Sequence, residues 1–182
     1  MEEIELEDFN NKLPDKLPIS VIMEKRPSDN AWVDFTYQAI GVVTSDHPQD
    51  NAARKIYQHN GVERFLFSGL SLQLYVDECE SYYHNLMSPQ PGCYVVAGEP
   101  ETLDEMPEPY LVSLSFDEAH AYLEGDELVY SVDIPPQLYQ WIEAYVLTHY
   151  VAIKKTKRKL KNWKQQAPEG GPAKAAIPGK PA

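Results

Sequence analysis

Residues 62–86, VERFLFSGLSLQLYVDECESYYHNL, change their hydrophobic period partway along, and that change decides how the chain reads. Phe65 and Phe67 share one parity, whereas Leu70, Leu72, Leu74 and Val76 share the other. Alternation of this kind marks a strand with one buried face. A parity switch keeps apolar side chains on one face only if the backbone gains a residue, so a bulge or tight bend is expected at Ser68-Gly69. From Asp77 onward the pattern turns helical, with Cys79, Tyr82, Tyr83 and Leu86 as a candidate buried stripe. Asp77 with Glu80 three residues later reads as an N-terminal cap, its carboxylates near the positive end of the helix dipole.

Cys79, Glu80 and His84 in this stretch raise the question of a metal. Residues five apart sit about 140° around a helix of 3.6 residues per turn, so Cys79 and His84 cannot both reach one ion. Glu80 and His84 share a face but make only two ligands, fewer than stable sites use. A distant His59 or His120 would have to complete the set. The expectation is a helix start, with no metal and no cofactor.

Working outward, PISVIMEKRP (18–27) begins a strand, PSDN (27–30) has turn chemistry, and Val33, Phe35, Tyr37 and Ala39 alternate with Asp34, Thr36 and Gln38. These form an expected antiparallel hairpin. Residues 45–61 are polar and read as a loop with at most one helical turn. Further strands fit 92–97, 109–116 and 127–133, and helices fit 78–87, 117–124 and 136 to about 153. For the second helix, Ser115 with Glu118 matches a capping box, with Asp117 as the alternative cap, and Gly125 stands where a left-handed C-terminal residue is wanted. For the third, Pro135 or Pro136 pre-sets the first turn. Leu138, Trp141, Ile142, Tyr145, His149 and Ile153 then make its stripe, with His149 read as a core histidine. The fold class predicted is α+β: a mainly antiparallel sheet of five or six strands with two short helices and one longer C-terminal helix.

Charge divides the chain. Its 182 residues carry a net −12. Residues 154–182 hold eight lysines and Arg158 against Glu169 alone, a net +8; residues 1–153 hold 7 basic and 27 acidic residues, a net −20. An acidic leader (1–17), one α+β domain (18–153) and a basic, Pro/Gly/Ala-rich tail (154–182) are the expected divisions. The body should repel nucleic acid and anionic membrane, and the tail could attract either, fold back, or merely solubilise. No apolar run approaches membrane-spanning length, and MEEIELEDFNNK has no export h-region. Cys79 and Cys93 are the only cysteines, with no CxxC pair, which suits a cytoplasmic protein with reduced thiols.

Catalytic signatures such as GxSxG, HExxH or a phosphate-cradling glycine loop do not occur. A thiolate nucleophile needs positive surroundings, and both cysteines lie in an acidic body. Two stretches read instead as recognition surfaces. Glu24, Lys25 and Arg26 end a strand beside a turn with Trp32 just beyond, a binding combination if Trp32 is exposed and a solvated turn if it is buried. In KKTKRKLKNWKQQ, Lys157, Arg158, Leu160 and Trp163 would give a thin basic amphipathic line if the last helix ran on.

The pieces ISVIMEKRP with Trp32, LSLQLYVDECESYYHNL, YVV (94–96), PYLVSLSFDEAHAYL and IPPQLYQWIEAYVLTHY, in that order, resemble a bacterial family known as domain of unknown function 3305. The resemblance spans about residues 18–153. Its second motif falls here on Asp77, Glu78, Glu80, Tyr82, Asn85 and Leu86. Similar proteins are typically encoded beside molybdenum- or tungsten-dependent formate dehydrogenases. The resemblance therefore implies a non-catalytic cytoplasmic accessory protein whose partner is a formate dehydrogenase subunit or its maturation factors. It carries no catalytic residues. Two further readings stand beside it: a small enzyme or carrier for a molybdopterin-type or sulfur intermediate, needing a pocket that gathers Arg26, Tyr82 and His120; and a regulatory module acting through its basic tail.

Overall fold

A computed structural model describes residues 13–45 and 53–150. Seven strands and three helices run in the order β1 (Lys16–Pro27), β2 (Phe35–Thr44), β3 (Ala53–His59), β4 (Val62–Gln73), α1 (Cys79–Leu86), β5 (Gly92–Ala97), β6 (Pro109–Ser113), α2 (Phe116–Glu124), β7 (Leu128–Asp133) and α3 (Pro136–His149). The expectation of one sheet of five or six strands gives way to two antiparallel sheets, ordered β2-β1-β4-β3 and β6-β5-β7. Their facing sides share one core. Ile19, Val21 and Met23 of β1 are fully buried, as are Cys93 and Val95 of β5.

The parity switch in β4 has the expected cause. Ile19 pairs with Leu70 but Val21 pairs with Phe67, so β4 carries one extra residue opposite Ser20. Gly69 takes up the strain at φ 85°, a left-handed conformation that costs a residue with a Cβ about 1–2 kcal/mol. Phe67, Leu72 and Leu74 consequently all reach the core.

Residues 53–59 are a strand, not the loop expected. All seven residues of β3 are exposed. An edge strand wet on both faces has no buried stripe to alternate, so periodicity does not reveal it. The usable signal was Asn60-Gly61, the pair that favours a two-residue hairpin turn; both residues have positive φ, 49° and 78°. A Cβ on Gly61 would lie 2.9 Å from Cγ of Pro27, so this tip abuts the end of β1. Gly61→Ala is expected to destabilise the protein by about 1–2 kcal/mol, read as a lower urea midpoint at unchanged slope.

The helix ends partly follow the sequence. Ser115 caps α2, its hydroxyl accepting from the Glu118 N–H at 3.2 Å. Glu118 does not close the reciprocal box, however; its carboxylate accepts from Ser113, whose hydroxyl in turn accepts from the Ser115 N–H. Gly125 is not left-handed (φ −88°); Asp126, at φ 64°, takes that role. Asp77 does not cap α1. It lies in a single 3-10 turn, Val76–Glu78, and neither that turn nor α1 has a side-chain cap. Pro136 opens α3 at its first position. That helix ends at His149, with Tyr150 extended, rather than continuing to about 153; Ile153 lies outside the described residues.

Leu138, Trp141, Ile142 and Tyr145 of α3 are buried as expected, and His149 is half-buried with its ring 4.4 Å from that of Tyr145. α1 joins this core through Cys79, Tyr82 and Leu86, whereas Tyr83, expected in the same stripe, is exposed and stacks on Tyr150. α2 packs on the opposite side of β5, where Phe116 meets Tyr94 edge-on. Among the described residues no helix lies over the outward side of the four-stranded sheet.

Candidate functional site

Strand parity splits the candidate residues at 24–26. Even-numbered positions of β1 point away from the core, so Glu24 and Arg26 lie on the outer face and Lys25 on the inner. Across the strands Glu24 pairs with Arg64 and Gln38. Its carboxylate accepts from Arg64 Nε at 2.9 Å, from an Arg26 amino group at 2.6 Å and from Gln38 Nε2 at 3.4 Å. Those side chains roof it over, leaving Glu24 1% exposed. Burial alone would raise its pKa, but the bonds and charges of Arg64 and Arg26 outweigh that and hold the carboxyl below its usual range.

A folded-state pKa below the unfolded one adds stability that is present above the unfolded value, about 4.3, and is lost as pH falls through the folded value. Glu24→Gln is therefore expected to be less stable than wild type at pH 7. The gap should shrink as the pH is lowered below 4, as read by urea denaturation of both proteins across that range.

Lys25 lies 3.9 Å from the Phe35 ring centre and 3.7 Å from Glu63, which also holds Lys55. Tyr37 donates to the Asp104 carbonyl at 2.6 Å, tying the β5–β6 connection to this end of the sheet. Trp32, in the turn between β1 and β2, is 90% exposed rather than buried. Glu24, Lys25, Arg26 and Trp32 thus occupy one end of the four-stranded sheet but face different ways.

The second group of candidates divides. Asp77 and Glu80 are exposed. Tyr82 and Asn85 are buried, at 2% and 6% exposed. The Tyr82 hydroxyl accepts from the Tyr75 N–H at 3.2 Å, and burial pushes its pKa up. Asn85 donates to the carbonyls of Gly92 (2.8 Å) and Leu114 (2.9 Å) and accepts from the Gly92 N–H (3.0 Å), joining α1 to β5 and to the residue before the α2 cap. Glu78 is likewise structural, accepting from the Ser115 hydroxyl at 2.7 Å. The spacing in the sequence could not separate these, because side chains on one helix face serve a surface or a core depending on what packs there.

Between the starts of α1 and α2 lies a cavity of about 510 Å³ walled by Tyr75, Asp77, Glu78, Asp117 and Glu118. A neighbouring cleft of about 280 Å³ is lined by Ser81, His84, Asn85, Ser88, Tyr94, Phe116 and Asp117. Its serines and histidine are not arranged for nucleophilic attack: the Ser81 hydroxyl is bonded to Ser115 at 3.0 Å, and His84 lies 3.8 Å from Glu80. Among the described residues no three potential ligands gather around a metal position. Burial raises the pKa of both thiols, that of Cys93 to about 12, so they stay protonated near neutrality. Arg26, Tyr82 and His120 do not share a pocket. Arg26 is on the outer face of one sheet, Tyr82 is in the core, and His120 stacks on Phe116 of the helix backing the other sheet. Lys157, Arg158, Leu160 and Trp163 lie outside the described residues.

A family model described as "Protein of unknown function (DUF3305)" matches residues 18–159. The chain belongs to that family. The DUF3305 match takes in both sheets and all three helices, so the Glu24 cluster and the Asn85 junction fall inside it. No curated protein and no solved structure matches the chain. No helix among the described residues is long and apolar enough to cross a membrane.

Proposed function

We propose that this protein is a non-catalytic cytoplasmic accessory factor that works by holding a partner polypeptide, a formate dehydrogenase subunit or one of its maturation factors. The observation that carries the reading is the exposed end of the four-stranded sheet. There Trp32 stands in solvent in the turn that follows β1, and Arg26 and Arg64 are anchored on the sheet by one buried carboxylate. Fixing Arg26 and Arg64 on Glu24 lowers the entropy lost when they meet a partner, and exposed tryptophan and arginine are the residues that most often dominate protein interfaces. The identity of the partner rests on the family resemblance. The test is affinity capture of the tagged full chain from cells grown with formate and molybdate. Recovery of a dehydrogenase subunit or maturation factor is expected, with clear loss on Trp32→Ala. Recovery of none overturns the reading.

A further inference from the structure

The four-stranded sheet segregates charge by side in a way the overall composition conceals. On its outer face the register places Lys16, Arg26, Arg54 and Arg64, with Glu24 the single acid in any of the four strands to point that way. Four cations against one roofed carboxylate make a positive face on a body of net −20. The cationic character continues around the sheet edge. β3, ARKIYQH, contains no acid and presents Arg54 outward and Lys55 inward. Tyr57 lies under the Arg64 guanidinium at 4.9 Å, leaving one ring face to solvent at 41% exposure. Among the described residues β3 pairs only with β4, so its other edge is open.

We propose that this flank, the β3 edge together with the arginines behind it, docks an extended acidic segment of a partner polypeptide. The inference rests on the reading of the protein as a partner-holding factor and names the chemistry of the partner. An added strand would take main-chain hydrogen bonds from the open edge, its alternate side chains falling beside Arg54 on one side and Lys55 on the other. The same cations repel a second copy of β3, so the edge discriminates against self-pairing while accepting carboxylates. A nucleic acid strand is the weaker match: it has no peptide N–H and C=O groups to pair with a sheet edge, and a long polyanion would run onto the acidic remainder of the body.

The test uses the full chain, a fluorescein-labelled twelve-residue peptide alternating glutamate with valine, its lysine–valine counterpart, and a dT12 strand. Anisotropy should show binding of the acidic peptide alone, and Arg54→Glu should weaken it by about tenfold. The Arg54 side chain is exposed and makes no hydrogen bond or ion pair among the described residues, so the substitution is expected to leave the fold intact. Hydrogen exchange should slow at residues 53–59 when the peptide is bound. Unchanged affinity in Arg54→Glu, or protection confined to 154–182, overturns the proposal, and dT12 competing for β3 overturns the choice of a polypeptide. In the capture experiment, equal recovery of the dehydrogenase partner by wild type and Arg54→Glu would sink this site while leaving the accessory role standing. Peptide binding at β3 with no partner captured would do the reverse.

Discussion

Asn85→Ala is expected to lower the thermal midpoint by about 10–15 °C, a larger effect than any surface substitution in the protein should produce. Its amide makes three bonds to backbone groups of Gly92 and Leu114, all in a buried setting. Truncation strands one N–H and two carbonyls away from water, and unsatisfied buried groups cost roughly 1–3 kcal/mol each, giving about 3–5 kcal/mol once partial relaxation is allowed. Asn85→Asp separates hydrogen bonding from shape. The carboxylate keeps the acceptor for Gly92 N–H but turns a second oxygen toward two carbonyls. Its folded-state pKa is therefore raised, and the variant's loss relative to wild type should be smaller at pH 4 than at pH 7, because this carboxyl gains stability on protonation whereas Glu24 loses it. Scanning calorimetry on both variants at the two pH values checks this. An Asn85→Ala midpoint within about 3 °C of wild type would mean the junction is not a structural element.

Trp141→Ala should come close behind, at about 3–5 kcal/mol, because removing a buried indole leaves a cavity that the surrounding elements fill only in part. The indole is 8% exposed and its Nε1 donates to the Pro14 carbonyl at 2.7 Å. That bond ties α3 to the chain just before β1, where the Asp15 carbonyl also accepts from the Leu74 N–H. Trp141→Phe keeps most of the volume and loses the bond, so it should cost only about 1 kcal/mol from the hydrogen bond. Urea denaturation distinguishes the two. Equal losses for Phe and Ala would move the weight from packing to the hydrogen bond.

Several features were legible in the sequence because they depend on neighbours along the chain. Ser68-Gly69 had to hold a bulge once Phe67 and Leu72 were both to be buried. The Ser115 cap and the Pro136 start follow from which backbone groups a helix end leaves unpaired. Asn60-Gly61 was equally readable, and would have turned the supposed loop at 53–59 into half of a hairpin. Other features have no local signature. Nothing in the spacing of DECESYYHNL says that Tyr82 and Asn85 are buried while Tyr83 is exposed, since that depends on which side of α1 the other elements occupy.

By itself, then, the chain order of apolar and polar residues determined the mixed α+β class, the antiparallel pairing of β1 with β2, the bulge in β4 and the capping of α2, all set by interactions within a few residues or along one strand. The division into two sheets, the burial of Tyr82 and Asn85 at a junction between elements, and the gathering of Glu24 with Arg64 forty positions away were decided only by tertiary structure. The physical reason is that periodicity states which side of an element is apolar, whereas the partner that covers that side, and the charges left on the other, are chosen when the elements pack.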